Sequence, residues 1–357
     1  MKKILIGICG IGNGHLNRQI CVIEELLKSN NQIVVATQKE KIDVLKERFP
    51  KINILEVNIP WITCTNNGID YVDSLSKYIN SSKNQYKLFF EFSINVEKLF
   101  NGHPDIVITD YEPNVAQYAY SASLPLICME QQSKFLYLDE IDIENNSIKE
   151  EKYRLNYFFP KYDKKIISSF FPIDVKDENI YVVPPIIPAI KKNNDKNNQV
   201  IVYFSPYSDS ENYLKILNII KDYSNYIFKI YSNKDLKQYQ NFFKYKNLSF
   251  YNFNSNFKDE LCSSSALITT CGHQLVSEAI SINIPLCVFP LETYEQKYNA
   301  SMIEKYGIGV YIKDYEKIEL DAFFKNINNY YDNILKLKQN YYKVRWQDVL
   351  KDIIDGL

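Results

Sequence analysis

The chain has 357 residues, of which 46% are hydrophobic and 24% are charged, as in an ordinary globular protein. Domains usually hold about 100–200 residues, so this length predicts two. The 42 Lys and Arg nearly balance the 43 Asp and Glu, which argues against a nucleic-acid-binding protein. No apolar run reaches the roughly 18 residues of a membrane span. The run at 4–9 is too short for a signal-peptide core.

Seven cysteines are scattered along the chain, and no two form a C-x-x-C pair. With no secretion signal, this spacing gives no reason to expect a disulfide framework. We expect reduced and mostly buried thiols, because free cysteine packs as a small hydrophobic residue. The sequence therefore favours a cytoplasmic location.

The first half of the chain alternates predicted strands with predicted helices. Residues 4–9 form a continuous apolar run, typical of a strand covered on both faces, and 32–37 is predicted as a second buried strand. Residues 15–29 carry apolar side chains at helical spacing. The order strand, Gly-rich turn, helix, strand is a βαβ unit and predicts a parallel sheet. Further strands are predicted at 52–57, 105–109 and 125–129, and further helices at 39–48, 84–100 and 112–122.

A segment with three closely spaced prolines, followed by the polar run 191–198, interrupts this alternation. The prolines exclude a helix, and the polar run has nothing to bury. We therefore expect an N-terminal domain at 1–185, a linker at 186–198 and a C-terminal domain at 199–335. Strands of the second half are predicted at 199–204, 226–231, 248–253, 265–269 and 285–289, and an amphipathic helix at 334–354.

A Gly-rich turn follows the first strand and opens a helix. Such a turn lets the backbone approach a ligand at the helix N-terminus, so Gly12, Asn13 and Gly14 are candidate binding residues. A dinucleotide fingerprint would place a third Gly where His15 stands. It would also place an acidic residue at the end of the second strand, which instead reads Thr37. Both departures disfavour a nicotinamide-dependent oxidoreductase.

His15 is one of three histidines and is a candidate general base at the mouth of a cleft. Such a base usually has a third group to orient it. Asp110 ends an apolar strand, and the carboxyl ends of parallel strands line the ligand crevice, so the two side chains are expected to lie side by side. The alternatives are that His15 and Asp110 each merely cap a helix.

A second turn joins the strand at 265–269 to a helix. Thr and Gly at a helix start leave backbone N–H groups free to hold an anion such as a diphosphate. Glu278 lies two turns into this helix, where its two oxygens suit the hydroxyls of a ribose, unless it simply faces solvent. The candidate anion-binding residues are Thr270, Cys271, Gly272, His273 and Gln274.

A third turn follows the strand at 285–289. Glu295 and Gln296 stand together at a predicted helix start. A carboxylate accepts hydrogen bonds and an amide both donates and accepts, a combination that suits a polyol. The alternative is that Glu295 only complements the helix dipole.

These windows resemble the GT-B glycosyltransferases, which use nucleotide sugars. The plant-type UDP-glycosyltransferase signature H-C-G-W-N-S-x-x-E is matched at Cys271, Gly272 and Glu278, and the following D/E-Q-x-x-N-A is matched throughout 295–300. A bacterial and archaeal branch with D-F-E-P and G-F-x-x-x-S-E-A-L is more similar still. Here 110–113 reads D-Y-E-P, and the second motif corresponds to G-H-Q-L-V-S-E-A-I from Gly272.

The resemblance implies an α/β GT-B fold, in which two Rossmann-like, doubly wound parallel-sheet domains face a central cleft. It implies an inverting transfer of a sugar from a nucleotide diphosphate sugar to an acceptor hydroxyl, with His15 as base and Asp110 orienting it. UDP is the first choice of nucleotide, ahead of dTDP and GDP. The chain has no D-x-D triplet, so we expect no required metal, and no cofactor besides the donor. Glu278, Glu295, Gln296 and Asn299 are implied as donor contacts.

Thr270 stands where the plant-type signature has a histidine that reaches a donor phosphate. We therefore expect mostly backbone contacts to phosphate, with Ser205 as a further candidate. The acceptor is expected against the first domain, near Trp61, Glu112 and Gln131. It is a small molecule, a glycan or a lipid-linked compound, although the near-neutral net charge gives no support for membrane docking.

Two other functions remain alternatives on the same fold. One is a nucleotide-sugar epimerase, which needs no acceptor, and the other is a binding protein without turnover. In GT-B proteins the C-terminal helix often crosses back to the first domain, and residues 336–357 are a candidate for this packing.

Overall fold

The chain folds into two parallel β-sheets with helices packed on their faces. Within the described residues, no helix combines the length and the apolar character needed to cross a membrane. The structure, a computed structural model, describes residues 1–58, 63–65, 68–139, 147–190, 198–205, 210–254 and 256–357.

The first half of the chain builds a seven-stranded sheet and a small ribbon. Its strands are β1 (Lys3–Ile8), β2 (Gln32–Thr37), β3 (Asn53–Glu56), β4 (Thr63–Thr65), β5 (Gly68–Asp70), β6 (Ile106–Asp110), β7 (Leu126–Glu130), β8 (Lys164–Ser168) and β9 (Ile180–Val183). Its helices are α1 (Gly14–Leu27), α2 (Lys39–Arg48), α3 (Tyr71–Phe100), α4 (Pro113–Ala122) and α5 (Ser147–Phe158), with a 3₁₀ helix at Gln132–Leu136. The sheet order is β3-β2-β1-β6-β7-β8-β9, while β4 and β5 pair with each other in antiparallel fashion.

The second half repeats this architecture with six strands. These are β10 (Gln199–Phe204), β11 (Ile227–Ser232), β12 (Leu248–Asn252), β13 (Ala266–Thr269), β14 (Leu286–Val288) and β15 (Gly309–Tyr311). The helices are α6 (Ser210–Ile220), α7 (Phe257–Cys262), α8 (His273–Ser281), α9 (Tyr294–Lys305), α10 (Lys317–Lys325), α11 (Ile327–Tyr341) and α12 (Trp346–Gly356), with a 3₁₀ helix at Leu236–Phe242. The sheet order is β12-β11-β10-β13-β14-β15, so both sheets are doubly wound.

Alternation along each central strand divides the apolar residues between two cores. Ile4 and Ile6 of β1 pack with α1 and α12, whereas Leu5 packs on the opposite face with α3 and α4. Successive side chains of a strand point to opposite faces, and both faces of a parallel sheet are covered. This double coverage explains why β1 reads as one continuous apolar run.

The amphipathic segment at 334–354, predicted as one helix, is two. Ile334 and Leu337 of α11 pack in a core of the second sheet, whereas Leu350 and Ile353 of α12 pack against β1 and α1 in the first. The chain leaves the helical path between α11 and α12 because it passes from one sheet to the other. The last helix therefore completes the core of the first sheet.

Some further elements differ from the expectation. Helix α3 begins at Tyr71, before the predicted start at 84, and strands β8, β9 and β15 and helix α5 were not predicted. Strand β8 begins with two lysines, so its sequence is not a continuous apolar run and was not recognised as a buried strand. Lys165 is nevertheless 2% exposed, with its ammonium 4.1 Å from the centre of the Tyr162 ring.

Candidate active site

The strand order of the first sheet reverses between β1 and β6, where open α/β sheets usually bind ligands. Ile8 and Asp110 are paired across these two strands. After β1 the chain turns through Gly12, which has a φ of 62°, and enters α1 at Gly14. His15 therefore stands in the first turn of α1, next to the end of β6.

The structure brings His15 and Asp110 together, as the sequence predicts. His15 Nδ1 lies 2.6 Å from Asp110 Oδ1. The Asp110 side chain is fully buried, whereas the ring of His15 keeps a little exposure. A buried carboxylate that is hydrogen-bonded to one ring nitrogen of a partly exposed imidazole is the arrangement expected of a base and its orienting acid.

Two further residues of α1 hold the carboxylate of Asp110. Arg18 Nε donates to Oδ2 at 2.8 Å and Arg18 Nη2 donates to Oδ1 at 2.7 Å. Gln19 Nε2 donates to Oδ2 at 3.0 Å. Burial would raise the pKa of Asp110, but the charges and hydrogen bonds of Arg18 and His15 outweigh it and lower that pKa to about 2. Asp110 is therefore ionised at neutral pH.

The other ring nitrogen of His15 faces Gln132. Gln132 Nε2 lies 3.2 Å from His15 Nε2, and an amide nitrogen can only donate. We therefore assign His15 Nε2 as the acceptor, and the 2.6 Å contact of Nδ1 with the ionised carboxylate of Asp110 assigns the proton to Nδ1. This tautomer leaves the lone pair of Nε2 directed away from the buried carboxylate.

Tyr111 adopts an uncommon backbone conformation beside the histidine. Its φ is 58°, which is rare for a residue with a bulky side chain. Its ring stacks on His15 at 5.9 Å between centroids, and its hydroxyl donates to Glu151 Oε1 at 2.6 Å. Backbone conformations of this kind cost about 1–3 kcal/mol and tend to cluster at functional sites. Sequence analysis did not find this feature.

In the second sheet, the start of α8 has no side-chain cap. Gly272 occupies the N-cap position, and the N–H groups of the first helical turn, at 273–275, have no partner within the helix. The ring of His273 is buried, and neither nitrogen has a hydrogen-bond partner among the described residues. Burial and the charges of Lys134 and Arg18 lower the pKa of His273, so its ring is neutral. The start of α8 thus carries backbone donors without an intrahelical partner and a buried, unpartnered imidazole ring.

The motif at 295–300 braces this turn from α9. Gln296 Oε1 accepts from the backbone N–H groups of Cys271 at 2.9 Å and Leu291 at 3.0 Å. Asn299 Nδ2 donates to the carbonyl of Cys271 at 3.0 Å. The N–H of Cys271 is therefore already taken and does not add to the free donors of α8.

Side chains after β7 join the two halves of the chain. Gln131 Nε2 donates to Glu295 Oε1 at 3.0 Å. The fully buried Lys134 donates to Gln131 Oε1 at 2.7 Å and to Asn299 Oδ1 at 3.2 Å. Burial lowers the pKa of Lys134 to about 8. The two Gly-containing turns also meet, since a Cβ built on Gly14 would lie 3.7 Å from the Cβ of Gln274.

The other donor candidates lie around these turns. The exposed Asn13 accepts from Lys41 Nζ at 2.9 Å. Glu278 is buried rather than solvent-facing, and its Oε1 accepts from Gln274 Nε2 at 3.0 Å. Thr270 and Ser205 are both buried at the ends of strands, Ser205 with its carbonyl accepting from the hydroxyl of Tyr213.

The three acceptor candidates have different outcomes. Gln131 lies at the junction of the two halves, next to Glu295. Glu112 is fully buried, with one carboxylate oxygen on the N–H of Val115 at 2.7 Å and the other on Asn114 Nδ2 at 2.8 Å. It caps α4, and the structure does not bring it to an open surface. Trp61 lies outside the described residues.

Sequence reasoning missed three side chains of the site: Arg18, Gln19 and Lys134. A signal for the first two existed, because residues three and four positions after His15 share its face of a helix. No local pattern marks Lys134, whose partner Asn299 is 165 residues away along the chain. Within the described residues, no three His, Cys, Asp or Glu side chains are grouped as metal ligands.

Comparison with known proteins identifies the family of this chain. The profile described as Glycosyl transferase family 1 matches residues 2–328. The chain is 24% identical over 338 residues to an uncharacterized glycosyltransferase of Methanosarcina acetivorans, covering 86% of this chain and 84% of that protein.

Solved structures agree on the fold. The glycotransferase of kitacinnamycin superposes with a TM-score of 0.70 at 11% identity, covering 98% of both chains. Glycosyltransferase VinC, solved in complex with dTDP, superposes with a TM-score of 0.68 at 11% identity, covering 99% of this chain and 98% of its own. Likeness at such low identity establishes the fold alone, and it confirms the expected pair of Rossmann-like domains. With the family profile spanning most of its length, the chain belongs to glycosyl transferase family 1 and is a GT-B glycosyltransferase.

Proposed function

We propose that this enzyme moves a sugar from a nucleotide diphosphate sugar to an acceptor hydroxyl, with inversion at the anomeric carbon and without a metal ion. The observation that carries the proposal is the hydrogen-bonded pair of His15 and Asp110, separated by 2.6 Å. His15 follows Gly14, where an added Cβ would lie 3.7 Å from the Cβ of Gln274 at the uncapped start of α8. A base and an anion-binding turn are thus held close together.

His15 Nε2 takes the proton of the acceptor hydroxyl as the acceptor oxygen attacks the anomeric carbon. The bond from that carbon to the diphosphate breaks, and the proton stays on the imidazole. Asp110, which is ionised, keeps the Nδ1 proton in place and steadies the imidazolium. Such base catalysis typically contributes about 10²–10⁴-fold.

The diphosphate gains negative charge as it leaves. The free N–H groups at 273–275 and the dipole of α8 are placed to stabilise this charge. Thr270, Gly272 and the unpartnered ring of His273 add polar groups at the same turn.

The donor sugar and ribose are assigned to α8 and α9. One carboxylate oxygen of Glu278 accepts a hydrogen bond from Gln274, and the other is assigned to a ribose hydroxyl. Gln296 uses its oxygen on two backbone donors, so its amide N–H groups are the part available to a sugar hydroxyl. Glu295 contributes its carboxylate next to Gln131.

The nucleotide is tested first. UDP stays the first choice, and the likeness to VinC, solved with dTDP, makes dTDP its principal competitor. A thermal-shift series with UDP, dTDP, GDP, CMP and NAD at equal concentration compares them. Ligand at 100 times its Kd stabilises a protein by about 2.7 kcal/mol. We expect a rise with one diphosphate nucleotide, and a rise with NAD alone would contradict the proposal.

The base is tested with His15→Ala. We expect a loss of about 10²–10⁴-fold in transfer, because only base catalysis is removed, with the nucleotide-dependent thermal shift retained. His103→Ala is the matched control, since His103 is exposed and pairs with Tyr118 away from the site. Full transfer by His15→Ala, or a product whose anomeric configuration is that of the donor, would overturn the assignment.

A further inference from the structure

We propose that Arg18 is a positioning residue of the base, which locks the Asp110 carboxylate and places a positive charge beside the ring of His15. The inference rests on the proposed function, in which His15 is the base. Arg18 is 2% exposed, in the second turn of α1. Arginine is rarely buried this deeply unless it is paired with groups of opposite charge.

The first effect of Arg18 is geometric. Its Nε and Nη2 contact the two oxygens of Asp110 at 2.8 and 2.7 Å, the paired geometry in which a planar guanidinium meets a carboxylate. Oδ1 also accepts from His15 Nδ1 and Oδ2 also accepts from Gln19. With each oxygen holding two donors, the carboxylate has one orientation. The direction of the His15 ring is thereby fixed.

The second effect of Arg18 is electrostatic. Arg18 Nη2 lies 3.1 Å from His15 Nδ1. Arg18 and Asp110 already form a neutral pair, so a proton on His15 adds an unpaired positive charge in a buried place. Without Arg18, the same proton would instead complete a neutral pair with Asp110. The guanidinium therefore opposes protonation of the base before the substrate arrives.

Several other ionisable groups surround this cluster, and all of them remain in an Arg18 variant. The negative charges of Glu130 on β7 and Glu295 on α9 raise the pKa of Arg18. The positive charge of Arg18 in turn lowers the pKa of Lys134 and of His273. Tyr111 stacks on the ring of His15. A difference between wild type and an Arg18 variant therefore reports the removed guanidinium.

The test is a titration of the His15 ring by NMR, in protein labelled with ¹⁵N-histidine and without any substrate. The chain has three histidines, so the loss of one signal in His15→Gln assigns the resonance. In Arg18→Met, which is neutral, we expect the His15 midpoint to move to higher pH than in wild type. Arg48→Met is the control, because Arg48 is an exposed arginine paired with Glu24, and it should leave the midpoint unchanged. An unchanged or lower midpoint in Arg18→Met would overturn the inference.

Arg18→Lys separates charge from geometry and serves if Arg18→Met fails to fold. Lysine keeps the charge but not the two-pronged contact, so its His15 midpoint should stay near that of wild type while transfer falls about 10-fold or more. Wild-type transfer by Arg18→Lys would remove the positioning role. The expected NMR shift in a protein that transfers no sugar from any tested donor would contradict the proposed function while supporting the charge effect of Arg18.

Discussion

At the scale of single residues, burial and charge set ionisation states that composition does not reveal. Asp110 and Glu112 are near neighbours and both fully buried. The charges of Arg18 and His15 hold the pKa of Asp110 at about 2. Among the described residues no cation acts on Glu112, and burial raises its pKa to about 7 despite its hydrogen bonds to Val115 and Asn114. At neutral pH one buried carboxyl group is therefore ionised, whereas its near neighbour is partly protonated.

This difference predicts how Glu112→Gln changes stability with pH. The folded pKa of Glu112 lies above the value of 4.5 expected when unfolded, so its contribution is fully present below pH 4.5 and is lost as the pH rises through about 7. The amide cannot ionise, and its oxygen can still accept from Val115. Relative to wild type, the variant should gain roughly 1–3 kcal/mol between pH 4.5 and 8.

Urea unfolding of both proteins at several pH values measures this gain. Glu47→Gln, which changes an exposed glutamate of α2, is the control and should show no such trend. A stability difference between Glu112→Gln and wild type that does not vary with pH would contradict the assignment.

At the scale of elements, the motif from Glu295 to Ala300 combines two tasks. Its sequence suggests sugar recognition, yet Gln296 and Asn299 use much of their hydrogen-bonding capacity on the turn before α8. The turn before α8 therefore depends on a neighbouring helix for its shape. In the proposed function, the same side chains take part in both donor binding and structure.

Gln296→Ala tests this bracing role. It leaves the N–H groups of Cys271 and Leu291 without their shared acceptor, and we expect a loss of about 1–3 kcal/mol in the free energy of unfolding. Gln296→Glu keeps an oxygen in the same place and should retain most of the stability while weakening donor binding. Equal stability of Gln296→Ala and wild type, by urea unfolding, would show that water replaces the amide.

The elements that the sequence predicted are those that can be recognised from a short run of neighbouring residues. The apolar runs of β1, β2 and β10 and the pairing of His15 with Asp110 follow from strand burial and from the position of strand ends. The short strand β15 and the lysine-led β8 lack such a pattern. Contacts between the two halves, such as Lys134 with Asn299, depend on how the domains dock, and no local rule contains that information.

At the scale of the whole molecule, the two sheets share the end of the chain. Helix α11 packs against the second sheet and α12 against the first. Together with the bridges from Gln131 and Lys134, this crossing connects the two halves.

Leu350→Ala tests the contribution of α12. Leu350 is 1% exposed in the core formed with β1 and α1, and truncation of a buried leucine costs about 2–5 kcal/mol. We expect faster amide hydrogen exchange in β1 and β2 than in wild type, with the exchange of β10 and β13 little changed. Lys351→Ala, at an exposed position of the same helix, is the control. Equal acceleration in both sheets would mean that they unfold as one unit.

The place of α12 also bears on how the protein folds as it leaves the ribosome. The strands of the first sheet emerge early, but the apolar surface beside β1 and α1 is covered only when residues 346–356 have been made. Until then, the nascent first half carries an open hydrophobic face while the second sheet is being translated. The first domain of this enzyme to be synthesised is thus the last whose core is closed.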